Sequence, residues 1–322
     1  MIRRWASIFR DSCTLWGMSV EYWTIVNEVR GFYLAWDGGD GTVFIQRHRV
    51  VDEPVLNYDL GGRTVPAAVE YLYSGSSFGA WTSASSPMKL GAYHPRILRA
   101  ETPWRRPQEH PPFDQIYGRQ KAASLASARN LFAQLNEVFR YIEPSTTTKD
   151  TYGDQLRSLL ILACTEVESA WKAVLSANSV TPPKKPTTKD YVKLLAPMRL
   201  AEWGIGLVSY PDYPDVKPFA TWDATEGKTT TSLPWYDAYN DTKHNREERL
   251  HRATLEHVIA AMVAVQVMYV AQFGWPQTLA DEPLYRGFRL GAATTWSLEE
   301  VYLPPPRKGP DLGDWTAAPL FP

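Results

Sequence analysis

The residues best equipped for chemistry stand together in Tyr239-Asn-Asp-Thr-Lys-His-Asn-Arg246. On a helix, Asn240 and His244 fall four residues apart on one face, and so do Tyr239 and Lys243. The spacing gathers an imidazole, an ammonium, an amide and a phenol into one polar patch, with Arg246 close by. A histidine moves a proton near neutral pH, and a Lys or Arg beside it stabilises charge developing on a phosphoryl group. That set suits metal-free cleavage of RNA, in which the ribose 2′-hydroxyl attacks its own phosphodiester. The same Asn240 and His244 also suit plain hydrogen bonds to a helix end or a neighbouring loop, and spacing alone leaves both roles open.

A second polar face is offered by Glu166 and Glu168, with Lys172 four residues after Glu168. It reads either as part of a site or as an i,i+4 ion pair worth a few tenths of a kcal/mol, about 0.2–0.5. No Gly-rich phosphate loop, nucleophile elbow, His-Glu-x-x-His or cysteine cluster occurs. No metal and no cofactor is therefore expected. Another basic stretch holds His94, Arg96, Arg99, Arg105, Arg106 and His110, with Tyr93 and Trp104 among them. Cations interleaved with aromatics can hold a phosphate backbone and stack bases, or can simply tether a loop to acidic neighbours.

The elements that position the patch follow from periodicity. Pro234 at a first helical position and Asp237 in the first turn mark a helix start. The run Val258 to Gln272 is apolar nearly all round, so other helices must cover it. At about 15 residues, with Gln266 in its middle, it is shorter than the roughly 20 that span a bilayer, and a core helix with no membrane is expected. Upstream, Leu125, Ala128, Leu131, Phe132, Leu135, Val138, Phe139 and Ile142 recur at helical spacing before Pro144. A second long helix is predicted from Asp154 to Ala177, and a shorter one from Lys189 to Ala196 capped by Thr187 or Thr188. Leu200 to Thr231 is irregular and reads as an insertion.

The N-terminal third has a different texture. Gly31 to Trp36 and Thr42 to His48 flank Asp37-Gly-Gly-Asp-Gly41, which predicts a β-hairpin, and Val50–Asp59 and Arg63–Tyr73 add further elements, the second helical. The predicted organisation is α+β: a β-rich domain over 1–75, a linker or long loop over 76–112, a helical domain over 113–283, and a proline-rich tail over 284–322 packing on the helical domain. Met18 competes with Met1 as the translation start, because the segment before it has no partner in this pattern.

The order of a long helix, a second helix, a short polar helix carrying Asn-x-x-x-His and an apolar last helix resembles the HEPN superfamily over roughly Asp154 to Gly274. That resemblance implies a helical domain acting as a metal-independent RNase of a toxin–antitoxin, antiphage or CRISPR system. It also implies a homodimer with two motifs facing one cleft. The family motif is an Arg, usually a polar residue, three more residues, then a His. Asn240 and His244 match; Tyr239 stands where the family has Arg, so Arg246 or Lys243 must hold the scissile phosphate instead. The pairs Arg246–His251 and Arg252–His257 satisfy a looser form without the Asn. The resemblance also places a polar residue of the long helix near the histidine, which makes Glu168 the expected orienting group for His244.

Composition sets the bounds. The 322 residues carry a formal net charge of -1, so no global field draws the molecule onto nucleic acid or an anionic membrane, and any anionic partner meets a local patch. Two cysteines, Cys13 and Cys164, without metal-ligand spacing suit a reducing compartment, and a cytoplasmic location is expected. The expected function is a metal-independent endoribonuclease of a bacterial defence or toxin-type system, with His244, Asn240 and Arg246 at the catalytic centre, Lys243 and Arg246 on phosphate, and Lys243, Tyr239, Glu168 and Lys172 as the substrate-binding residues. RNA, a second copy of the chain, and a protein partner or antitoxin at the N-terminal domain are the expected partners. The rival is a non-catalytic HEPN-like interaction or nucleic-acid-binding module. An enzyme centred on His48 or His94 is a third reading with no motif behind it.

Overall fold

The structure, a computed structural model, describes residues 21–27, 31–38, 40–47, 56–73, 81–99, 111–181, 183–274, 287–297, 299–305, 307–308, 311–312 and 314–321. The predicted residues His48, Trp104, Arg105, Arg106 and His110, and the choice between Met1 and Met18, lie outside them. The chain is α+β and divides into two compact units, Met1–Leu90 with Leu298–Gly313, and Gly91–Ser297 with Asp314–Pro322.

The first unit is built on an antiparallel sheet. Its strands are β1 (Tyr22–Asn27), β2 (Gly31–Asp37), β3 (Thr42–Arg47) and β4 (Leu56–Asp59); then come a helix, α1 (Val65–Tyr73), and β5 (Trp81–Ser86). The order across the sheet is β4-β3-β2-β1-β5. The predicted hairpin is β2–β3, in register from Tyr33 opposite Arg47 to Asp37 opposite Val43, and Gly41 supplies the positive φ of its turn. Alternation along the strands sorts the faces: Ile25, Tyr33, Ala35, Val43 and Ile45 bury against Val65, Ala68 and Val69 of α1. Leu34, one residue out of phase, packs with Leu303 on the opposite face.

β5 corrects the prediction of a linker over 76–112, because Trp81–Ser86 pairs along the whole of β1. After Trp81 and Thr82 it is a run of small residues, Ser-Ala-Ser-Ser, with no β-branched or aromatic side chain, which is why composition alone reads as a loop. The tail is corrected too. Leu298–Gly313 belongs with the sheet unit, and the remainder of 284–322 belongs with the helices.

The second unit opens with β6 (Ala92–Tyr93), α2 (Phe113–Ile116), α3 (Gly118–Phe139) and α4 (Asp154–Ala177). It continues with α5 (Thr188–Tyr191), β7 (Gly204–Leu207), α6 (Pro234–His244), α7 (Arg246–Arg249) and α8 (Leu255–Phe273). After these come β8 (Phe288–Ala292), β9 (Arg307–Lys308), β10 (Asp311–Leu312) and β11 (Thr316–Ala317), of which β9 and β10 pair within the sheet unit's segment. The predicted helices are there, with Thr187 and Asp190 forming a capping box at α5 and Thr254 accepting from the His257 amide at the start of α8.

α8 packs along α4, and α3 and α6 each touch both, so a helix that is apolar all round is covered on all sides. It is 19 residues long and apolar enough to cross a membrane by length and composition, yet 83% of its apolar window is buried inside the protein. Residues 200–231, read as an insertion, supply core: Phe219 and Trp222 join Trp235 and Tyr236 around the fully buried Trp171. Within that region β7 pairs antiparallel with β8. Gly206 and Gly291 leave the space in which Arg289 reaches Asp215 at 2.6 Å; a Cβ at Gly291 would sit 1.8 Å from the Asp215 carboxylate.

Candidate functional site

α6 presents the predicted patch. Trp235, Ala238, Tyr239 and Thr242 face the core, which turns Asn240 and His244 outward together, Asn240 half-buried and His244 exposed. Arg252 folds the following turn back against this helix by bonding Asp237 at 2.9 Å and Asp241 as well. His257 Nδ1 meets the Arg252 carbonyl at 2.8 Å. The Arg252–His257 pair therefore holds the chain's path and is not available to a ligand.

The chain on either side of His244 is fastened to the first turn of α4. Arg157 Nε donates to the Thr242 carbonyl at 2.9 Å, satisfying one of the carbonyls a helix end leaves open. Arg246 grips Asp154 with two nitrogens at 2.8–3.0 Å. His244 itself makes no hydrogen bond or ion pair among the described residues. Its ring stands in solvent between two anchored points.

Lys243 and Tyr239 meet as their spacing predicts: the Lys243 ammonium donates to the Tyr239 hydroxyl at 2.7 Å and lies 4.9 Å from its ring. That hydrogen bond, helped by the Glu168 carboxylate against the opposing effect of burial, holds the ammonium above the usual lysine range. Tyr239, in the position of the family's Arg, is 1% exposed, and burial pushes its phenol up, so it is a neutral core residue with its hydroxyl at the rim.

Glu168 does not bond His244, contrary to expectation. Its carboxylate accepts from the Tyr236 hydroxyl at 2.7 Å and lies 3.7 Å from Lys172 Nζ. The Tyr236 phenol is raised, first by burial and then by that carboxylate. Cys164 is fully buried and its thiol is raised by burial, so it is no nucleophile. Glu166 accepts from Ser127 at 2.7 Å and ties α4 to α3.

The structure thus brings together His244, Asn240, Lys243 and Tyr239, places Glu168 and Lys172 in an adjoining network through Tyr236, and commits Arg246 to Asp154. Sequence reasoning missed Tyr236 and Arg157. Tyr236 stands four residues before Asn240, a signal that was legible; Arg157 gave none. Among the described residues no three His, Cys, Asp or Glu side chains cluster as metal ligands. A cavity of about 270 Å³ lies between α3 and the loop after β7, lined by Arg129, Phe132, Asn136, Leu207 and Tyr210, and none of the predicted site residues lines it.

No family model matches this chain, and neither the curated proteins nor the solved structures include a match.

Proposed function

We propose that the helical unit is a metal-independent endoribonuclease of a bacterial defence or toxin-type system, related in its plan to the HEPN superfamily. The observation that carries this reading is His244: an exposed imidazole without a partner among the described residues, mounted between two fixed points, with an ammonium on the preceding residue. In the reaction His244 takes the proton of a ribose 2′-hydroxyl, or gives one to the departing 5′-oxygen, while the 2′-oxygen attacks the adjacent phosphorus. The products are a 2′,3′-cyclic phosphate and a free 5′-hydroxyl. Lys243 stabilises the charge that builds on the phosphoryl oxygens, and Asn240 orients the imidazole or the ribose. Arg246 joins only by exchanging Asp154 for phosphate, which is feasible for an exposed pair.

A homodimer, RNA as substrate, a protein partner or antitoxin at the sheet unit, and a cytoplasmic setting belong to the same proposal. A second reading, a non-catalytic module that binds nucleic acid or protein, is favoured by two observations: the position of the family's Arg is a buried Tyr239, and Arg246 is already paired. Incubating the pure chain with RNA in EDTA, beside His244→Ala, separates them. Cleavage that survives chelation and disappears in the variant supports the enzyme, whereas no cleavage, or cleavage equal in both proteins, supports the module.

A further inference from the structure

Arg96 is 8% exposed, and its only hydrogen bond among the described residues runs from Nε to the Gln272 side-chain oxygen at 2.8 Å. Among the described residues no carboxylate pairs with it. The Phe273 ring lies 5.4 Å from its guanidinium carbon. Buried charges in proteins are ordinarily paired, because removing an ion from water is costly. Here the charge is buried and none of the described residues supplies its counter-ion.

The backbone adds to the puzzle. Ile97 N donates to the His94 carbonyl at 3.2 Å, closing a turn with Pro95 second and Arg96 third, and Arg96 has φ +56°. That third position favours Gly or Asn, so an Arg there is kept against a conformational preference. The mount is rigid. The Asn178 amide donates to the Pro95 carbonyl at 2.8 Å, Leu98 N to the Ala271 carbonyl at 2.9 Å, and Gln272 is anchored on the Met268 carbonyl at 2.6 Å. His94 Nδ1 faces the Ala318 carbonyl at 3.0 Å. Arg99 follows three residues later, its guanidinium 5.1 Å from the Trp296 ring.

We infer that the turn His94–Ile97 is a phosphate-binding site in which the buried Arg96 guanidinium, positioned by Gln272, is the anchor. Arg96 offers its remaining N–H groups in the planar fork that matches a phosphate. The phenol of Tyr117, raised by burial and by Tyr93, feels the Arg96 charge in the opposite direction, so a neutral hydroxyl borders the guanidinium. The phosphate is either a free anion or the end of an oligonucleotide; the chemistry is shared. This inference stands apart from the reading of His244.

The test measures the thermal midpoint of the full chain in chloride, in orthophosphate at equal ionic strength, and with an oligonucleotide bearing or lacking a 5′-phosphate. The wild-type midpoint is expected to rise with phosphate by mass action. Two variants are expected to lose the rise. Arg96→Gly removes the anchor while suiting the positive φ, and Gln272→Glu supplies an internal carboxylate at the guanidinium. A rise with orthophosphate that both variants lack supports a free anion; a rise confined to the phosphorylated oligonucleotide assigns the phosphate to nucleic acid. Identical midpoints in all conditions, or a rise that persists in both variants, overturns the site.

Discussion

The end of α6 and the turn that carries Arg96 treat their cations in opposite ways. Around α6 the strong cations are matched: Arg252 by Asp237 and Asp241, Arg246 by Asp154, Lys172 by Glu168. Among the described residues His244 is left alone there, as are Glu247, Arg249 and His251 on the turns that follow, and all four are exposed and therefore cost little to leave unpaired. At the turn the arrangement is inverted: the guanidinium is buried and no carboxylate among the described residues matches it. Matched and exposed charges build a frame, and an unmatched group inside or beside a frame is where a ligand changes the free energy most.

If His244 is the reactive group and its neighbours are frame, the largest effect belongs to His244→Ala. RNA cleavage in EDTA is expected to fall by about 10²–10⁴-fold, the ordinary worth of a general acid or base, with the thermal midpoint unchanged. A variant that unfolds early instead would show that His244 is part of the frame.

Next comes the clamp. Arg252→Ala leaves two partly buried carboxylates facing each other across one helical turn, and a loss of about 2 kcal/mol in denaturant unfolding is expected. A loss below about 0.5 kcal/mol would mean that Ala253 and Leu255 in the core hold the turn without the ion pairs.

Tyr236→Phe comes third. It removes one hydrogen bond to a charged acceptor, and about 1.5 kcal/mol of stability is expected to go with it. It also carries a pH signature. The folded Tyr236 phenol and the folded Lys243 ammonium both have raised pKa values, so each holds its proton more tightly folded than unfolded. Their contributions are complete below the unfolded values near 10 and are lost as pH rises beyond them. Tyr236→Phe should flatten the alkaline fall in midpoint above about pH 10 and leave the curve between pH 6 and 9 parallel to wild type.

How much of this was legible in the sequence differs by element. α4 was readable to its end residues because Leu156, Leu159, Leu160, Ala163 and Val167 repeat at helical spacing on one buried face. β5 was not, since Trp81-Thr-Ser-Ala-Ser-Ser owes its strand to pairing with β1 and not to local preference. The i,i+4 pairs within α6 were readable, including Tyr239 with Lys243. The partners that decide availability were not: Asp154 lies 92 residues before Arg246, and Gln272 lies 176 after Arg96. Local spacing says which side chains share a face. Only the fold says which of them are already taken.

The smallest effect is the most discriminating for the α6 end. Arg246 and Asp154 are a well-formed pair, two nitrogens on one carboxylate, but both side chains are more than half exposed, at 55% and 64%. Exposed pairs contribute little once water and salt compete for each charge, so Arg246→Ala should cost only about 0.5 kcal/mol at low salt and less at high salt. If the pair is frame alone, cleavage by the variant stays within about twofold of wild type, since lost phosphate binding is then no part of the reaction. If Arg246 leaves Asp154 to hold the scissile phosphate, Arg246→Ala loses cleavage while Asp154→Asn, which frees the guanidinium, gains it. Opposite signs in those two variants would move Arg246 from the frame to the site, and equal small losses would leave His244 and Lys243 to act without it.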